Sequence, residues 1–354
     1  MKNTLTIIIA IVFFTSCHKA DTSTPDTFPA TEQTVINDFT DDVAIDQYNN
    51  LRNAATDLNT KIAALNTDAT DANLTAAQNS WKGLRTVWEQ CEGFLFGPVE
   101  DDDYDPHMDT WPVDYVQMDS LLASSNSLEI SDIRNLSTLS LRGFHPVEYI
   151  LWGVDGKRTA ASITPREKKY MVSLTQDILD NVTALNTSWT NNPINFAIQV
   201  KTAGSGSTVY SKKQEVYLAV TQALIDICDE VGSSKMAGPF NAFDSTIVES
   251  PFSNNSVIDF KNNIIGLGNV YNGTYSNPGK GIADLVAAKN VSLNNKIRQQ
   301  ITAAINSFNA ISLSYEEAIF NQRTQIRNTM AALETLSTTL EEELQPFIIQ
   351  YIKD

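Results

Sequence analysis

Of the three histidines in the chain, His145 is the one placed where chemistry is most easily assembled. It precedes Glu148 by three residues in the run Leu141 to Gly153, LRGFHPVEYILWG. On a helix, positions i and i+3 share a face, so the imidazole and the carboxylate can address one object: a proton, a metal ion or a polar ligand. The flanking residues are those of a buried segment. On spacing alone two readings stand side by side, a core histidine bonded to a buried carboxylate and a pair of ligands. The histidine supply narrows the chemistry. His18 falls in a polar leader and His107 in a strongly acidic segment that reads as a solvated loop, so a zinc protease of the HExxH kind is ruled out. One imidazole among carboxylates suits a hard or borderline cation such as iron, while zinc through an HxxE pair would need His107 as a distant third ligand.

Other residues could join such a site. Arg85 and Glu89 lie four apart on one helix face, either as a surface ion pair worth little or, set among Trp81 and Trp88, as a buried pair. Glu249, Ser250 and Ser253 stand in an irregular segment, where polar side chains either cap the next helix or bind ligand. The aromatic residues Trp81, Trp88, Phe94, Phe96, Trp111, Phe144 and Trp152 read as core before they read as a box for a flat cofactor. No phosphate loop, dinucleotide fingerprint or GxSxG nucleophile elbow is present. With 42 acidic against 25 basic residues and a pI near 4.5, the chain has no general attraction for nucleic acid or anionic lipid. Cations are its natural guests.

The elements that must position these residues are helices. Gly143 and Pro146 interrupt a simple continuous helix, and Pro146 suits the first turn of a new one carrying Glu148, Ile150 and Leu151. His145 then sits near that helix's amino end, where the dipole resists protonation of the imidazole. Apolar residues at helical spacing from Val35 to Leu65 and from Leu74 to Leu95 predict two long antiparallel helices joined near residues 66–71. Gly97-Pro98 stops the second, Trp111-Pro112 restarts a helix, and Thr164-Pro165-Arg166-Glu167 is a capping box. A helix is expected over about 209–231, an irregular connection over 238–256, and long helices from Leu285 onward. Strand signals are almost absent. The expected fold is all-α: two four-helix-bundle-like halves, residues 31–160 and 161–354, with long irregular loops. The echo between Cys91-Glu92 before Gly97-Pro98 and Cys228-Asp229 before Gly238-Pro239 points to an internal duplication.

The first residues address the compartment. Lys2, the apolar run Leu5 to Phe14 and Thr15-Ser16-Cys17 read as a signal peptide over residues 1–16, too short to span a membrane. Its end resembles a lipobox, which implies a diacylated Cys17, a tether over 17–30 and a membrane partner held through that lipid. The location expected is the cell envelope, as an outer-membrane lipoprotein facing the periplasm or the cell surface. Cys91 and Cys228 are read as two buried thiols and not a disulfide.

Taken together, these segments resemble the imelysin-like family. The resemblance is carried by the GxHxxE motif at Gly143, His145 and Glu148, by WKGLRTVWEQCEGFLFGP from Trp81 to Pro98, by Trp111-Pro112 with Asp114, and by VESPFSNNSVIDFKNNIIGLGNVYNG from Val248 to Gly273. It implies exported, often lipid-anchored proteins of two helical bundles, linked to iron or haem uptake, with the motif as a metal or ligand site between the bundles. The expectation is therefore His145, Glu148 and Glu89 as metal ligands, and Arg85, Trp88, Gly143, Glu249, Ser250 and Ser253 around the ligand. The cargo is iron, zinc or haem, passed to an uptake-system protein. Two other readings stand. The family is also classed among metallopeptidases, although one folded histidine near the motif with no identifiable general base makes a poor zinc hydrolase. A structural surface lipoprotein binding a protein or glycan is the third, and no catalytic residue is assigned.

Overall fold

Tyr48, Leu51, Ala55, Leu58, Ile62 and Leu65 recur every three or four residues, and all are buried along one face of helix α1 (Asp46–Thr67) in the computed structural model, which describes residues 27–353. A short turn leads to α2 (Asp71–Cys91), whose first turn is capped by the Thr70 hydroxyl accepting from the Asn73 N–H. It buries Leu74, Ala77, Trp81, Leu84 and Trp88. Helices α3 (Phe144–Trp152) and α4 (Pro165–Thr190) close a ring: α1 packs on α2 and α4, and α3 packs on the same two helices. The capping box holds as read, because Thr164 accepts from the Glu167 N–H while Glu167 accepts from the Thr164 N–H at 2.7 Å. Since α4 joins this ring, the expected division at residues 160 and 161 falls inside it.

A second ring follows, formed by α5 (Lys213–Asp229), α6 (Ser256–Asn272), α7 (Val291–Ser307) and α8 (Arg323–Thr339). Each helix packs on the next, and α8 packs back on α5. The architecture is all-α, and among the described residues there is no strand, only an isolated bridge between Thr274 and Pro278. No described helix is long and apolar enough to cross a membrane. The expected signal peptide, Cys17 and most of the tether lie outside the described residues. A helix already begins at Phe28, with Pro29 in its first turn, so residues 28–30 are not an irregular tether. Cys91 and Cys228 are buried free thiols.

The rings meet along α2 and α6. A Cβ on Gly266 would fall 2.2 Å from the Gln90 carbonyl oxygen, and one on Gly93 would fall 2.7 Å from the Gly266 carbonyl carbon. Two backbones touch here, and any side chain would force them apart. Two insertions converge on this seam, residues 92–143 between α2 and α3 and residues 230–255 between α5 and α6. They are less irregular than their Pro, Gly and Asp content indicates. The first holds short helices at Pro98–Asp101, Tyr104–Asp109, Tyr115–Ala123 and Ile130–Arg134, which bury Val99, Met108, Met118 and Ile133; the second holds one at Ala237–Ala242. The helix expected to restart at Trp111-Pro112 begins at Tyr115, where the Asp114 carboxylate caps it by accepting from the Gln117 N–H at 2.9 Å.

Candidate metal centre

The site begins with a glycine. Gly143 has φ +77°, and a Cβ there would lie 1.9 Å from the Met108 carbonyl oxygen. The amino end of α3 therefore rests directly on the backbone of the Tyr104–Asp109 helix, one residue before Asp109. That contact brings His145 Nε2 to 2.8 Å from Asp109 Oδ1. The same carboxylate accepts from Arg85 Nη1 at 2.5 Å and, through Oδ2, from Trp88 Nε1 at 2.6 Å. Trp81 Nε1 donates to the Phe144 carbonyl at 3.0 Å, which fixes α3 to α2.

One turn further along α3, Glu148 faces the second insertion. Its Oε1 accepts from the Phe252 N–H at 3.1 Å, the Ser253 N–H at 2.8 Å and the Ser253 hydroxyl at 2.6 Å. Its Oε2 lies 3.7 Å from His145 Nδ1, and neither atom has a hydrogen-bond partner among the described residues. Glu249 Oε1 accepts from Arg85 Nη2 at 2.8 Å and Lys235 Nζ at 3.0 Å, while its Oε2 has no hydrogen-bond partner. His145, Glu148 and Glu249 line one slit with Tyr115, Val248 and Phe252, and it is too narrow to admit a water.

Behind the slit the charges continue. Arg85 also pairs with Glu89, and its Nε is 3.9 Å from Asp259. Asp259 accepts from the Ser250 hydroxyl at 2.7 Å and from Asn255 Nδ2 at 2.6 Å. Lys235 Nζ donates to Glu92 at 2.9 Å, and Asn263 Nδ2 reaches Glu89 and Glu92 at 2.7 Å each. Six buried carboxylates (Glu89, Glu92, Asp109, Glu148, Glu249, Asp259) thus share three buried bases, Arg85, Lys235 and His145.

The titrations follow from that imbalance. Burial pushes Glu89 and Glu92 well above the usual carboxylate range; Glu249 adds to it at Glu89, and Glu89 does so at Glu92. Asp259 is pushed up to about 7 by burial with Glu249 beside it. Asp109 goes the other way, because Arg85 and the bonded His145 outweigh its burial. Burial disfavours the His145 cation, yet the carboxylates of Asp109 and Glu148 raise its pKa to about 9. The expected resistance of the helix dipole is overridden, since two adjacent carboxylates act at far shorter range than a helix end.

Each candidate residue can now be placed. His145, Glu148 and Glu249 meet at the slit. Glu89 lies behind Arg85, in a second group with Glu92 and Asp109. Arg85 is committed to carboxylates, Trp88 holds Asp109, Ser250 holds Asp259, and Ser253 holds Glu148. Gly143 positions backbone without presenting a ligand atom. His107 is half-buried outside the site, on a short helix and not in a solvated loop, and its pKa is lowered by burial and by Arg142. Asp109, Lys235 and Asn263 were not legible as site residues. Asp109 ends an acidic stretch with nothing tying it to a histidine 36 positions away, and Lys235 is a lone cation in the otherwise small and apolar run VGSSKMAGPF.

Asp109, His145 and Glu249 offer ligand atoms within 4.8 Å of one another. Both Asp109 oxygens are already engaged, so its part is to orient the imidazole, as carboxylates do behind metal-bound histidines. Among the described residues, the slit-lining ligand atoms without a hydrogen-bond partner are His145 Nδ1 and Glu148 Oε2, 3.7 Å apart, and Glu249 Oε2; nitrogen and oxygen donors of this kind suit iron or zinc. A haem has no room in the slit.

The sequence profile of the imelysin family matches residues 44–343. Iron-regulated protein A of Synechococcus elongatus is 28% identical over 325 residues, covering 90% of this chain and 87% of that protein. Among solved structures, a candidate iron-regulated protein A precursor from Parabacteroides distasonis superposes with a TM-score of 0.80 at 24% identity, over 88% of this chain and 94% of the other. An imelysin-like protein from Psychrobacter arcticum gives 0.73 at 12% identity, over 90% and 96%. Both share the fold.

Proposed function

The chain belongs to the imelysin family, and from that premise we propose that it binds a divalent or trivalent metal ion, iron foremost, as cargo at the slit formed by His145, Glu148 and Glu249. The observation that carries this reading is a set of three buried ligand atoms that lack hydrogen-bond partners among the described residues, beside carboxylates that outnumber their buried bases and hold protons where a cation could act. Buried carboxylates are stable only when paired, hydrogen-bonded or coordinated. A metal ion supplies the missing charge without needing the volume of a water. Asp109 orients the imidazole by accepting from Nε2–H, which leaves Nδ1 for the ion, and Arg85 and Lys235 keep the surrounding carboxylates from competing. The name of the Synechococcus relative connects that protein with iron regulation, which favours iron over zinc as the cargo here.

Binding is favoured over peptide hydrolysis. A metallopeptidase must bring both water and a peptide carbonyl to its metal, and this slit is closed to water. The protein is carried on a lipid at Cys17 in the cell envelope, and it hands its ion to a protein of an uptake system. Titration of metal-free protein with ferrous ion under anaerobic conditions, and separately with zinc, tests the reading by calorimetry. Saturable one-site binding is expected, weakened at least tenfold in both Glu148→Gln and Glu249→Gln. Binding of equal strength in both variants would sink it.

A further inference from the structure

Beside the slit, and sharing Tyr115 and Phe252 with its lining, lies an open pocket of about 620 Å³ that contains none of the three proposed ligands. Its wall is a triangle of aromatic rings. Tyr149 and Phe252 meet at 5.1 Å between centroids and 78° between planes, Tyr115 and Phe252 at 5.9 Å and 89°, and Tyr115 and Tyr149 at 5.4 Å and 49°. The remaining charged groups that line it are Asp155, Glu316 and Glu317, with no lysine or arginine. Arg158, which acts electrostatically on Tyr149, is spent on Glu167 at 2.5 Å and the Ser162 carbonyl. Glu316 accepts from the Ser256 hydroxyl at 3.3 Å through Oε1, while its Oε2 has no hydrogen-bond partner.

The volume is that of a small-molecule site, and such sites combine an apolar wall with a few convergent polar groups. The type of groups selects the ligand. Ring faces attract cations through their quadrupole, carboxylates do so through charge, and no base is present to hold an anion. We propose that this pocket binds a small organic ammonium ion, its cationic head against the wall formed by Tyr115, Tyr149 and Phe252, in a cavity also lined by Glu316 and Glu317. Burial raises the Glu316 pKa to about 7, and a bound ammonium would favour its ionised form. The inference stands whether or not the slit binds metal.

Choline and its uncharged isostere 3,3-dimethylbutan-1-ol, which has the same shape without the charge, separate recognition of charge from recognition of shape. With the full chain in the presence of chelator, choline is expected to bind saturably and at least fivefold more tightly than the isostere. Tyr149→Leu and Glu317→Gln should each weaken choline at least threefold. Both pocket residues are partly or largely exposed, so these variants are expected to fold, as the unfolding midpoint will report. Equal binding of the isostere, absence of saturable choline binding, or unchanged affinity in both pocket variants would overturn the proposal.

Discussion

Replacing Gly143 by alanine is the most direct test of how the site is assembled. Two costs arise at that position. At φ +77° and ψ −151°, a region essentially confined to glycine, a residue with a Cβ suffers strain of about 1–3 kcal/mol. The Cβ would also sit 1.9 Å from the Met108 carbonyl oxygen, a backbone atom that cannot rotate away, so the Tyr104–Asp109 helix must shift. Overpacking of that kind adds about 1–3 kcal/mol, for a total of roughly 2–6 kcal/mol. Gly153 provides the control. It has φ +70° and ψ 175°, in the same region, but its added Cβ would first meet the flexible Arg158 side chain, at 3.3 Å, so the strain of about 1–3 kcal/mol stands nearly alone. With a urea slope of about 3 kcal/mol/M, the metal-free midpoint should fall by roughly 0.7–2 M in Gly143→Ala and by roughly 0.3–1 M in Gly153→Ala. Because Asp109 moves with Met108, metal affinity should also fall in the first variant and not in the second. A Gly143→Ala protein as stable and as tightly binding as Gly153→Ala would refute the claim that this backbone contact positions His145.

Other outcomes follow from the charge network. Arg85→Met leaves Glu89, Asp109 and Glu249 without their shared cation and should cost about 3–5 kcal/mol in chemical denaturation; adding Glu249→Gln should recover part of that loss, and no recovery would contradict the pairing. In metal-free protein, the penalty for ionising Asp259 is absent at low pH and grows as pH rises from 3.8 through about 7, while the stabilisation from protonated His145 is full below 6.5 and lost through about 9. The midpoint of thermal unfolding should therefore decline between pH 6 and pH 9, and a rise over that interval would contradict these assignments. Saturating ion at about 100 times its Kd should add about 2.7 kcal/mol of stability, reversed by chelator. Because the imidazole must lose its proton to ligate, apparent metal affinity should increase over the same pH interval, as calorimetry at fixed ionic strength would report.

Much of the fold is written locally. The three- and four-residue apolar spacing of α1 and α2, the Thr164 capping box and the absence of alternating strands are properties of short stretches, and each survives in the structure because burying such a stripe has one solution, another helix. The GxHxxE motif is equally local, and its i, i+3 geometry brings His145 and Glu148 to one face without help from the rest of the chain. The family resemblance points to Glu249 at the site, but nothing in the sequence points to Asp109 or Lys235, or to the contacts that bring all three together. Asp109 and Glu249 reach it from separate insertions, and Lys235 enters the same carboxylate network, only because two helical rings touch through Gly93 and Gly266 and because Gly143 rests on Met108. The protonation of His145 was misjudged for the same reason. A helix dipole is visible in the sequence, but the carboxylates that outweigh it include one brought in by tertiary contact. The grouping of helices was likewise decided in three dimensions, where α4 packs on α1 across more than a hundred residues of chain. Periodicity tells a helix which face to bury; only packing tells it against what.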